Sequence, residues 1–188
     1  MSSHSCTHYR QSHRLNGYDY SGPGAYFVTI CTFKGRNLFG EIHNREMFLN
    51  DAGRIVERTW LEIPEHFLIA DLDSFIVMPN HIHGILVLID VGRGTAHLQT
   101  NAGTACRAST ERFGKPIPGL LPTIIRSFKS AATNRINDLR GIKRMVVWQR
   151  NYYEHIIRNE ESLNRIGKYI LENHLRWADD PENLFRKI

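Results

Sequence analysis

An apolar run, Phe75-Ile76-Val77-Met78, breaks at Pro79-Asn80 and resumes as His81-Ile82-His83-Gly84-Ile85-Leu86-Val87-Leu88. Proline cannot donate to a strand ladder, so the chain has to turn or bulge there. Beyond the break, His81, His83, Ile85 and Val87 alternate with Ile82, Gly84, Leu86 and Leu88. That is the period of a strand, and it puts both imidazoles on one face. Two residues along a strand span roughly 7 Å between Cα atoms, so the two side chains can converge on one ion. A buried-looking strand that opens with two histidines directly after a break carries them at the mouth of its sheet, where ligands sit.

At 188 residues the chain is expected to form one domain, residues 1–188, with a sizeable core. Its apolar content of 41% and charged content of 23% are those of a soluble globular protein. No apolar run approaches the roughly 20 residues of a membrane span. Residues 1–22 are mostly polar and lack the apolar core of a secretory signal, so no membrane partner is expected. Cys6, Cys31 and Cys106 suggest neither a disulfide framework nor a zinc ribbon, and a reducing cytoplasm is the natural compartment. The net charge is +5, and it is unevenly spread: between Lys115 and Arg150 eight basic residues stand against one acid, Asp138. Such a surplus points to a surface for a polyanion.

Along the chain, residues 1–22 read as an arm, and Tyr26 to Phe33 reads as a first strand, apolar on both faces and therefore central. Leu38 to Leu49 suggests a short strand or hairpin. Asn50 caps a helix whose apolar positions Ala52, Ile55, Val56 and Ile63 recur at helical spacing, with Pro64 as its stop. Leu72–Val77 and His81–Leu88 are expected to pair antiparallel across their short connection. Residues 92–119, rich in Gly, Thr, Ala and Arg, have no period and read as a mobile loop. Leu121 to Leu139 forms an amphipathic helix with Pro122 in its first turn. Met145-Val146-Val147-Trp148 starts a fourth strand that resumes through Tyr152 to Ile157. Asn159 caps a last helix, 159–177, with Glu160 and Glu161 in its first turn. The order β-α-β-β-α-β plus a C-terminal helix is the split βαβ pattern of a ferredoxin-like α+β fold.

Two imidazoles need a third ligand to hold a catalytic ion. The last helix offers Asn173, Glu172 and His174 near Tyr169, with Tyr169 and Asn173 four apart on one flank. If that helix lies over the histidine face, Tyr169 and the Asn173 amide oxygen reach the same ion. Two imidazoles and an amide oxygen leave open positions that suit Mg²⁺ or Mn²⁺, whereas the missing thiolates disfavour a structural zinc. A tyrosine, although its free pKa is about 10, can attack a phosphate polarised by such an ion and become a phosphotyrosine. On spacing alone Tyr152 and Tyr153 compete with Tyr169. Two other outcomes stay open: a hydrolase that uses water with Glu172 as base, and a nucleic-acid-binding regulator of the same fold without live chemistry.

Met78-Pro79-Asn80-His81-Ile82-His83-Gly84 resembles the HUH motif of the single-tyrosine transposases of small insertion sequences. The opening from Leu15 to Ile30, Phe128-Lys129-Ser130, and Val147 to Arg158 with its Trp-Gln-x-x-Tyr-Tyr-Glu-His core resemble the subset associated with repetitive extragenic palindromes (REPs). The resemblance runs from about Gly17 to Trp177. It implies an HUH endonuclease fold of ferredoxin-like type, with the tyrosine on an added C-terminal helix, acting on single-stranded hairpin DNA with Mg²⁺ or Mn²⁺. The family's metal-binding histidines fall on His81 and His83, its nucleophile on Tyr169 and its further ligand on Asn173. In this subset the tyrosine helix commonly continues into Asn-Pro; here His174 follows Asn173, and the proline comes at 181. The reaction it implies leaves a 5′-phosphotyrosine and a free 3′-hydroxyl. Tyr18, Tyr20, Arg126, Lys129, Arg150 and Arg158 are the expected DNA contacts, and both a monomer and a homodimer stay open.

Overall fold

The structure, a computed structural model, describes residues 23–89, 121–180 and 182–183. The expected N-terminal arm with Tyr18 and Tyr20, and the expected 92–119 loop, lie outside the described residues. In chain order the elements are β1 (Gly24–Cys31), β2 (Gly40–His43), β3 (Glu46–Leu49), α1 (Asp51–Leu61), α2 (Ile63–His66), β4 (Ala70–Val77), β5 (His81–Leu88), α3 (Leu121–Arg140), β6 (Tyr153–Ile157) and α4 (Glu160–Glu172). A 3-10 segment, Asn173–Asp179, follows α4. The main sheet has the order β4-β5-β1-β6, with every neighbouring pair antiparallel. β2 and β3 form a separate hairpin. Without that hairpin, the order is that of a ferredoxin-like α+β fold, as the sequence pattern implied.

The strand period of β5 sorts its side chains between two layers. Ile82, Leu86 and Leu88 enter the main core with Val56 and Trp60 of α1 and with Ile124, Phe128 and Ile136 of α3. Ile85 enters a second cluster with Ile157 and Ile170, against which Phe27, Val87, Leu163 and Ile166 pack. Each fully buried aliphatic side chain of this kind contributes about 1.5–3 kcal/mol. The two histidines share the face of Ile85, so α4 covers them while α1 and α3 fill the other side.

Two glycines permit this close layering. A Cβ on Gly84 would run into the Trp60 indole, and Trp60 in turn stacks edge-on against Phe128 with 5.2 Å between ring centroids. A Cβ on Gly167 would lie 3.1 Å from Ser74 Oγ, so α4 runs close over β4.

Three boundaries differ from the sequence reading. Pro64 does more than stop α1: the helix breaks at Glu62, and the proline sits in the first turn of α2, where its missing N–H costs nothing. The expected strand at 145–148 shrinks to a single bridge, Thr32–Trp148. Arg144 has a positive φ of 65°, and the Lys129 ammonium draws away the carbonyls of Gln149 and Arg150, so the ladder resumes only at Tyr153. The last helix tightens to 3-10 at Asn173 rather than running on to Trp177, a common ending for an α-helix. No helix among the described residues is long and apolar enough to cross a membrane.

Gly84→Ala is expected to destabilise the protein by about 1–3 kcal/mol through overpacking against Trp60. Gly84→Ala with Trp60→Leu should recover part of that loss. Urea unfolding of both variants measures it, and a Gly84→Ala protein as stable as the parent would mean that the layers yield freely at this contact.

Candidate active site

The turn between β4 and β5 fixes the first histidine. Leu38 and Phe39 both donate their N–H to the Pro79 carbonyl, Thr32 donates to the Asn80 carbonyl, and Met78 donates to His81. The Asn80 side chain donates from Nδ2 to the carbonyls of Gly35 (3.2 Å) and Glu182 (2.6 Å). Its Oδ1 is thus left facing His81 Nδ1 at 2.8 Å. An amide oxygen can only accept, so the proton of His81 sits on Nδ1 and its Nε2 carries a lone pair. On the neighbouring strand Thr29 stands opposite His83, and its hydroxyl lies 2.8 Å from His83 Nδ1. Each ring is oriented through Nδ1 and presents Nε2 inward, with the two Nε2 atoms 3.1 Å apart. This is how outer partners orient metal-ligating imidazoles.

Both rings are buried, His81 at 0% exposure and His83 at 4%. Burial holds His81 well below its usual 6.5, with the His83 ring adding to the effect, and pushes His83 down to about 3. Both imidazoles are therefore neutral at physiological pH, the form that binds a metal.

The 3-10 segment after α4 returns to the same place. His81, His83 and Asp180 form a group that could hold a metal ion, their ligand atoms lying within 4.8 Å of one another. Asn173, 2% exposed, has its Oδ1 buried without a hydrogen-bond donor, so this oxygen could serve a cation. Two nitrogens and two oxygens fit a divalent ion that keeps positions for further oxygens. Asp180 was not among the residues singled out in the sequence, nor were Asn80 and Thr29 as orienting partners.

Of the three competing tyrosines, Tyr169 has its hydroxyl 3.5 Å from His83 Nε2. Its ring lies 5.4 Å from the His83 ring and edge-on to Phe27. Burial, then the Asp180 carboxylate, push its phenol up to about 12. Tyr153 lies edge-on to Phe27 as well, 6.2 Å between ring centroids, and Tyr152 packs against the main core. Glu172 lies between Lys168 (3.8 Å) and Arg176 (3.9 Å).

The expected DNA-contacting residues separate. Arg126, Lys129 and Arg150 line one groove beside α3. The Lys129 ammonium donates to the carbonyls of Gln149 (2.5 Å) and Arg150 (3.0 Å), and burial lowers it to about 8. Arg158 follows Ile157, which pairs with Ala25, whereas His81 pairs with Cys31. It therefore stands at the other end of the sheet, roughly 20 Å away along the strand direction.

A Haemophilus influenzae protein described as uncharacterized is 39% identical over 173 residues, which is 92% of each chain. The chain belongs to the family of that protein. Among solved structures, a REP-associated tyrosine transposase bound to a REP hairpin superposes with a TM-score of 0.54 at 16% identity, over 91% of this chain and 81% of that one. The likeness bears out the fold that the motifs implied. No family model matches the chain.

Two outcomes are expected. Asn80→Ala should weaken Mn²⁺ binding about 10- to 100-fold, and calorimetric titration reads the change. Unchanged affinity in Asn80→Ala would mean that His81 is oriented by other means. The second concerns acid. Because both histidines are held neutral by burial, the unfolded chain binds more protons than the folded one between about pH 6.5 and pH 3. Their contribution is intact above that window, and stability falls as the pH drops through it, by at most about 1.4 kcal/mol per pH unit for each histidine. Thermal melts of the metal-free protein across the window should show this slope, and His83→Asn should flatten it.

Proposed function

We propose that this chain is a divalent-metal-dependent enzyme that nicks and rejoins single-stranded, hairpin-forming DNA through Tyr169, in the manner of a REP-associated single-tyrosine transposase. The observation that carries this reading is the Tyr169 hydroxyl 3.5 Å from Nε2 of a buried, pre-oriented imidazole pair. The shared fold with a transposase solved on a REP hairpin supports it. The Glu172 carboxylate, which could serve a water-using hydrolase as its base, pairs with Lys168 and Arg176.

His81, His83 and Asp180, with the Asn173 oxygen in reach, are the residues that would hold Mg²⁺ or Mn²⁺. Such an ion supplies Lewis-acid polarisation of a phosphoryl oxygen and steadies the leaving oxygen. Phe27 and the α4 backbone aim the Tyr169 oxygen at the scissile phosphorus. Attack forms the phenol O–P bond and breaks P–O3′, leaving a 5′-phosphotyrosine and a free 3′-hydroxyl. The phosphotyrosine conserves the bond energy, so a 3′-hydroxyl can rejoin the strand by the reverse step. Burial first, and then the Asp180 carboxylate, push the Tyr169 phenol up to about 12, so it carries its proton at physiological pH.

Tyr169→Phe keeps the ring and its packing and removes only the nucleophilic oxygen. Incubated with end-labelled single-stranded hairpin DNA and Mn²⁺, the parent is expected to give a protein–DNA band on a denaturing gel. Tyr169→Phe should give none, a loss of at least about 10³-fold in adduct, while Tyr152→Phe and Tyr153→Phe retain it. An adduct in Tyr169→Phe would move the chemistry to another side chain. Cleavage without any adduct, with Tyr169→Phe fully active, would make the chain a hydrolase.

A further inference from the structure

α4 covers the histidine face of the sheet unevenly. Leu163 and Ile166, near its start, pack in the cluster of Ile157 at the end of β6. Farther along, Gly167 lies against Ser74 of β4. The helix therefore crosses from the end of β6 toward β4 and leaves the beginning of β6 uncovered. Tyr153 and His155 are both exposed there, the tyrosine at 47%.

The pairing register puts these two side chains on the face of the catalytic centre. Tyr153 stands opposite Thr29 and His155 opposite Phe27, and residues directly opposite on paired strands share a face. Thr29 in turn stands opposite His83 and meets its Nδ1. Two strand spacings therefore separate Tyr153 from His83, roughly 10 Å. Phe27 bridges the gap. Its ring lies 5.4 Å from the ring of His83, 6.3 Å from Tyr169 and 6.2 Å from Tyr153, edge-on to both tyrosines.

Of the aromatic residues around the centre, Phe27, Tyr153, Tyr169 and Trp177, Tyr153 is the most exposed. Trp177 is half-buried, its ring 6.1 Å from that of His81. Scattered exposed apolar residues need no explanation, but this ring continues an aromatic line that starts at the nucleophile. Tyr153 carries no charge to offer a phosphate. Its flat ring suits the face of an unpaired base instead, and such stacking accepts any base because each has a π-face. A strand whose phosphate reaches Tyr169 carries a base on either side of that phosphate.

We propose that Tyr153 stacks on the unpaired base adjoining the scissile phosphate and so fixes how that phosphate sits before Tyr169. The proposal rests on the single-strand enzyme reading given above. It makes Tyr153 a substrate-binding residue rather than a spare nucleophile, and it makes the open β1–β6 side of the sheet one arm of the strand's path through the centre.

The test uses the full chain, Mn²⁺ and labelled single-stranded hairpin DNA whose cleavage position is first mapped with the parent. Binding is then read by fluorescence anisotropy in the Tyr169→Phe background, where no strand is cut. Adding Tyr153→Leu should weaken binding about 5- to 100-fold, whereas adding Tyr153→Phe, which keeps the ring, should change it less than about twofold. An abasic nucleotide beside the cleavage position, on one side of it, should cost the Tyr169→Phe protein the same factor. On that abasic strand Tyr153→Leu should cost nothing further, because ring and base are two halves of one contact. Tyr153→Thr, a good strand former, repeats the comparison if Tyr153→Leu melts early. Full affinity without the ring, or losses that multiply at every abasic position, would overturn the stacking. A change in sedimentation of the DNA-free protein on Tyr153→Leu would place the ring in an interface between copies of the chain and overturn it as well. In each of these cases a parent that still forms its adduct leaves the enzyme reading standing. A parent that forms no adduct overturns that reading, and the stacking with it.

Discussion

One hydrogen bond, from His81 Nδ1 to Asn80 Oδ1, sets the chemistry of the whole centre. It assigns the proton to the outer nitrogen of a fully buried ring and so turns the lone pair of Nε2 toward His83. The bond holds only because Asn80 has no freedom to flip. Its amide nitrogen is claimed by the Gly35 and Glu182 carbonyls, which come from opposite ends of the chain. Three remote segments therefore meet at one amide: the turn after β1, the β4–β5 hairpin and the stretch beyond α4. The ring orientation is a product of tertiary structure, although the histidine itself lies in a local motif.

The sheet separates stability from reactivity. Its α1–α3 side carries the large aromatic core of Trp60, Phe128, Trp148 and Phe39, whose rings lie 5.1–5.6 Å from one another in successive pairs. Its other side carries a small aliphatic cluster and the histidine–tyrosine group. A strand buried on both faces can do this because alternate residues never share an environment. The polar imidazoles of β5 therefore stay out of the main core, on the face that α4 covers.

What could be read in advance follows from the range of each interaction. The His81–His83 pair is legible because two residues on one strand share a face whatever the rest of the chain does. Tyr169 and Asn173 are legible as a pair because one helical turn relates them, and the family likeness raises Tyr169 above Tyr152 and Tyr153. Thr29 is invisible at that level: it meets His83 only through the β1–β5 register, which no local pattern states. Asp180 reads as part of an Asp-Asp-Pro stop, and only the return of the 3-10 segment toward the sheet carries it to the histidines. Lys129 reads as a DNA contact off the apolar stripe of α3. The carbonyls of Gln149 and Arg150 accept from its ammonium, a meeting that no local pattern states.

The charge balance of the centre explains why these groups belong together. Two neutral imidazoles, an amide oxygen without a donor and a buried carboxylate that accepts from the Glu182 N–H lie together here. Burying a carboxylate is expensive unless a cation or good donors meet it, and the same carboxylate makes the phenol of Tyr169 harder to ionise. A divalent cation held there would give Asp180 and the Asn173 oxygen a positive partner and would offset the part of the field on the Tyr169 phenol that comes from Asp180.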